Sequence, residues 1–97
     1  MAILVAGFLV CSGMVGDFSV KLAVDREDGS IFGSLVDENA GSPNFKLRYE
    51  GLNESGGCLI EPGEISLCFD GPNAAELVLS VGRGSDVEDL SGRLVCE

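Results

Sequence analysis

Asp17-Phe18-Ser19-Val20-Lys21-Leu22-Ala23-Val24, then Asp25-Arg26-Glu27-Asp28-Gly29, then Ser30-Ile31-Phe32-Gly33-Ser34-Leu35-Val36, is the stretch on which the reading of the chain turns. Phe18, Val20, Leu22 and Val24 alternate with Ser19, Lys21 and Ala23, the period-2 pattern of a strand with one buried face. The pattern stops at Asp28-Gly29 and a second β-prone run follows at once. Gly accepts the positive φ of a tight turn, so Asp-Gly between two apolar runs predicts a hairpin. In the second arm Ile31 and Leu35 oppose Phe32 and Val36, and Gly33 marks a bulge or a bend.

Working outward, Phe45, Leu47 and Tyr49 alternate with Lys46, Arg48 and Glu50, which predicts an amphipathic strand. Its basic pair reads as a solvated face or an edge-strand guard against aggregation. Cys58 to Asp70 predicts a second hairpin, because Pro62 presets φ and Gly63 takes the position that needs φ above zero. Ala75 to Gly82 predicts a strand with Leu77, Leu79 and Val81 on the core side. Residues 37–44 and 83–92 read as long polar loops, the second with a helical turn over 86–90, and Arg93 to Cys96 as a short terminal strand. The fold expected is all-β: a small antiparallel β-barrel or β-sandwich of about seven short strands joined by hairpins. Residues 1–97 make one domain, long enough to bury a single core.

Residues 1–16, Met-Ala-Ile-Leu-Val-Ala-Gly-Phe-Leu-Val-Cys-Ser-Gly-Met-Val-Gly, admit two readings. No Lys or Arg precedes the apolar run as in an ordinary secretory signal, and bulky Val10 precedes Cys11 where a lipoprotein signal has a small residue. A strand over 2–11 is therefore expected, apolar on both faces: Ile3, Val5, Leu9 and Cys11 against Leu4, Phe8 and Val10. The run is too short to span a membrane as a helix. Gly7-Phe8-Leu9-Val10-Cys11 echoes Gly92-Arg93-Leu94-Val95-Cys96; equivalent strands closing a barrel would bring Cys11 near Cys96.

Apolar residues make up 45% of the chain, and the mean hydropathy is +0.30. For so small a domain this implies apolar surface beyond the core, buried most simply between subunits, so a homo-oligomer is expected. Leu4, Phe8, Val10, Ile31, Phe32 and Val36 are the candidate interface. Sixteen carboxylates against six basic residues give a net charge of −10. That field disfavours nucleic acid and anionic membrane as partners and suits a protein with a basic surface. Asp25, Glu27 and Asp28, and Asp86, Glu88 and Asp89, are the candidate acidic contact loops.

The chain has no histidine, the commonest general base and the usual partner of a serine or cysteine nucleophile. It carries no phosphate-binding glycine motif, and neither acidic cluster has the spacing of a calcium loop. No enzymatic activity, catalytic residue, metal or cofactor is expected. Cys11, Cys58, Cys68 and Cys96 lack the close pairing of a zinc site. Cys58 and Cys68 lie at matching distances from the Pro62-Gly63 turn, so a cross-strand disulfide is open to them. The sequence favours reduced cysteines and the cytoplasm, against a secreted protein in which Cys58 pairs Cys68 and Cys11 pairs Cys96. Asn53-Glu54-Ser55 matches the N-glycosylation pattern, read as accidental without a signal.

Three functions are compatible with this sequence. The first is a non-enzymatic interaction module that self-associates through its apolar strands. The second is a small β-barrel binding a hydrophobic ligand. The third is an acidic inhibitor or immunity-type protein docking on a basic cleft.

Overall fold

The computed structural model describes residues 8–37, 45–83 and 86–97, with backbone alone for Phe8, Phe45, 81–83 and 86–87. These residues form nine strands and no helix: β1 (Phe8–Val15), β2 (Phe18–Asp25), β3 (Ser30–Asp37), β4 (Phe45–Tyr49), β5 (Glu54–Ser55), β6 (Cys58–Glu61), β7 (Ile65–Phe69), β8 (Ala74–Arg83) and β9 (Asp86–Cys96). All pair antiparallel in one sheet of order β4-β3-β2-β1-β9-β8-β7-β6-β5. Two meanders, β1–β4 and β5–β9, are therefore joined where β1 lies beside β9.

The curvature of the sheet follows from its connectivity. β4 and β5 are its opposite edges, yet only residues 50–53 separate them. A flat sheet would hold its outer strands about 38 Å apart, at ~4.8 Å per strand, whereas that linker reaches at most about 18 Å. The sheet must curl until its edges approach, and it forms a half-barrel. Glycines on the concave face permit the bend. A Cβ at Gly33 would strike the carbonyl of Lys21 and the Leu22 side chain, and one at Gly92 would strike the carbonyl of Met14.

Alternation places the core. Val20, Leu22 and Val24 of β2, Ile31 and Leu35 of β3, and Leu59, Leu67, Leu77 and Leu94 of the second meander are all buried on the concave side. Buried aliphatic area of this kind, at ~25 cal/mol per Å², is the main term holding the fold together.

The turns are the predicted ones with added detail. Glu61–Glu64 closes with the Glu64 N–H donating to the Glu61 carbonyl (3.0 Å), and Gly63 has φ 78°. The β2–β3 loop spans Arg26–Gly29, with Gly29 at φ 72° and its N–H donating to the Asp25 carbonyl (2.8 Å).

Three expectations are corrected. The sheet has nine strands rather than about seven, and it is an open half-barrel, neither a closed barrel nor a sandwich. β5 contributes only two residues, too little backbone to carry a ladder on to β4. Residues 86–92 are extended as part of β9, paired with β8 from Arg83↔Asp86 onward, with no helical turn. β1 runs past Cys11 to Val15 and pairs with β2 through the Gly16-Asp17 turn. The parts of the expected strand 2–11 before Phe8, Leu4 included, and of the loop 37–44 after Asp37, lie outside the described residues.

Candidate interaction face and seam

Register assigns every side chain to one side of the sheet. On the convex face of the first meander stand Val10, Ser12 and Met14 of β1, Ser19, Lys21 and Ala23 of β2, Phe32, Ser34 and Val36 of β3, and Lys46 and Arg48 of β4. Among the large apolar residues here, Val10 is 37%, Phe32 41% and Met14 51% exposed, and Val95 on neighbouring β9 is 62% exposed. Val10, Met14 and Val95 surround Ser12, which pairs with Val95 at the middle of the sheet. This cluster of exposed apolar side chains is the candidate interaction surface. Arg48 leans over the Phe32 ring, 5.6 Å from its centroid, and holds Glu50 at 3.2 Å.

Of the candidate interface residues, Val10 and Phe32 are exposed on this face and Val36 is half-buried beside them. Ile31 is a correction: it is fully buried in the chain's own core, because it points to the side opposite Phe32. Phe8 is described by its backbone alone, in β1. Lys21 was not a sequence candidate; only the cross-strand register Lys21↔Ser34↔Lys46 reveals that it joins Lys46 and Arg48.

The acidic clusters lie at opposite ends of the strands and share no surface. Asp25 and Asp28 organise their own loop: Asp25 Oδ1 accepts the N–H groups of Glu27 (3.0 Å) and Asp28 (3.2 Å), and Asp28 Oδ2 accepts the Ser30 hydroxyl (2.8 Å). Glu27 is exposed. Glu88 and Asp89 are exposed on β9, with Asp89 accepting the Ser80 hydroxyl (2.8 Å), and Asp86 is described by its backbone alone.

A seam runs where the sheet's edges approach. Arg26 leaves the β2–β3 loop, donates from Nε to Glu54 of β5 at 2.6 Å, and stacks on Phe69 of β7 at 4.1 Å. The Leu52 N–H donates to the Gly29 carbonyl (2.9 Å). Burial, then the carboxylates of Glu64 and Glu61, push the Tyr49 hydroxyl above its ordinary pKa. The hydrogen bond from Arg26 holds Glu54 below the usual carboxylate range. A lowered carboxylate pKa means stabilisation present at neutral pH and lost as pH falls through the lowered value. The melting-temperature difference between the wild type and Glu54→Gln should therefore be largest near pH 7 and vanish in acid. Both side chains are about one-third exposed, so solvent screening keeps the effect to a fraction of a kcal/mol. A difference that does not change with pH would count against the pairing.

The four cysteines are bonded in two pairs, correcting the expectation of free thiols. Cys11–Cys96 joins β1 to β9 inside the core, with a Cα–Cα distance of 4.0 Å. Val10 and Glu97 exchange both backbone hydrogen bonds, so Cys11 and Cys96 form the neighbouring close pair without such bonds. Cys58–Cys68 crosses the β6–β7 hairpin on the convex face, half-buried. No group of three or more potential metal ligands occurs among the described residues. No family model matches the chain, and no similar curated protein or solved structure was found.

Proposed function

We propose that this chain is a non-enzymatic assembly module that self-associates through the convex face of its sheet, in an oxidising compartment. The observation that carries the reading is the cluster of Val10, Met14 and Val95 at the middle of the sheet, with Phe32 two strands away on the same face, each at least 37% exposed. Large aliphatic side chains occupy the concave side, so the apolar content in excess of the core stands on the outside, where a partner rather than an interior ligand would cover it. The two disulfides support the compartment, since thiols are kept reduced in the cytosol.

Native mass spectrometry of the oxidised protein tests this. The wild type should fly as a multimer of bare chains, and Val10→Glu as a monomer that keeps both disulfides and a β-sheet circular dichroism spectrum. A wild type that is monomeric at all accessible concentrations would overturn the reading.

A further inference from the structure

Charge on the convex face is divided between the two meanders. The first carries Lys21, Lys46 and Arg48, three of the chain's six basic residues, with Arg48 held by Glu50 at 3.2 Å. Among the described residues, its carboxylates lie only at strand ends and turns, although acid outnumbers base sixteen to six. The second meander carries Glu76, Asp89 and Glu97 on the same face, and Arg93 there is held by Asp70 at 2.6 Å. Between the halves, on the central strands β1 and β9, lie Val10, Met14 and Val95.

We infer that the occupant of this face is a second copy of the chain, stacked convex face to convex face about a two-fold axis parallel to β1 and β9; this rests on the self-association proposed above. Such an axis exchanges left and right. It lays the basic half of each copy over the acidic half of the other, and both apolar strips meet on the axis. Lys21, on the strand beside β1, stands in the register row of Ser12 and Val95, between the rows of Glu97 and Glu76. Both carboxylates of the partner thus come within its reach, while Lys46, two strands farther out on β4, adds to the basic half without touching them. A two-fold axis perpendicular to the strands would also bring the convex faces together, but it would set like charge on like charge, which costs several kcal/mol in a typical interface.

Curvature limits the contact to the central strands. Four strands ~4.8 Å apart and ~27 Å long present about 500 Å² per copy, below the ~800 Å² of a standard interface. The dimer is accordingly weak and salt-sensitive.

Sedimentation equilibrium of the full oxidised chain tests the arrangement. Association should weaken about tenfold or more between about 50 mM and about 500 mM salt. Lys21→Glu/Lys46→Glu and Glu76→Lys/Glu97→Lys should each be monomeric, and an equimolar mixture of the two should form a heterodimer. Self-association that ignores salt and both charge reversals, yet is lost in Val10→Glu, would overturn this pairing and leave the assembly reading standing. Oligomers growing beyond the dimer would also overturn it, because a two-fold contact closes. If either double variant fails to fold, the salt dependence of the wild type decides alone.

Discussion

A Cys11→Ala/Cys96→Ala variant is expected to lose about 4.5 kcal/mol of unfolding free energy, in the chain-entropy account of a disulfide. The bond spans 85 residues of sequence, so it restrains nearly the whole unfolded chain. Domains of this size have roughly 5–15 kcal/mol in total, and each kcal/mol moves the melting temperature by about 4–8 °C. A fall of about 20–35 °C follows. The native state feels the loss as well, because the β1–β9 ladder is where the two meanders join, and it is short. The Cys58→Ala/Cys68→Ala variant should lose only about 2.5–3 kcal/mol, because its bond spans 10 residues within a hairpin already closed by Pro62-Gly63. Urea unfolding of both variants under identical conditions separates the two. Equal losses would mean that the central ladder holds without its staple.

The elements legible in the sequence are those whose pattern is complete within one strand. Phe18 to Val24 alternates without a break, and Pro62-Gly63 dictates its own turn, which in turn sets Cys58 opposite Cys68. Illegibility concentrates where two backbones cross closely on the concave face. At Gly13 an added Cβ would lie 2.6 Å from the Arg93 carbonyl, and at Gly92 it would meet Met14 and Val15. Both positions point inward, where the period calls for an apolar residue, so Ser12-Gly13 read as the end of a strand and Ser91-Gly92 as a loop. Close approach of this kind is a property of the assembled sheet and leaves only a glycine in the sequence. The same limit hid half of the candidate face. Phe32 and Val10 were visible as the second apolar side of their strands. The grouping of Lys21 with Lys46 and Arg48 needs the register of three strands, which no single run of residues specifies.

Gly29→Ala should be the most damaging glycine-to-alanine change among the described residues, at about 3 kcal/mol or more. Two separate costs combine. At φ 72° an L-residue pays about 1–2 kcal/mol, and the new methyl would collide with the backbone oxygen and nitrogen of Leu52. Backbone cannot swing aside as a side chain can, so the linker 50–53 must lift away. That breaks the Leu52-to-Gly29 hydrogen bond, exposes the partly buried Leu52 side chain, and loosens the Arg26–Glu54 contact beside it. Gly51→Ala supplies the control within the same linker. Gly51 has almost the same φ, 70°, but nothing within 4 Å of where its Cβ would stand. It should pay the conformational cost alone, about 1–2 kcal/mol. The difference between the two variants in urea therefore isolates the clamp across the seam, and it should exceed about 1 kcal/mol. Equal destabilisation would mean that the linker yields freely. The approach of the two sheet edges would then be a consequence of chain length alone, with no clamp at Gly29 holding it.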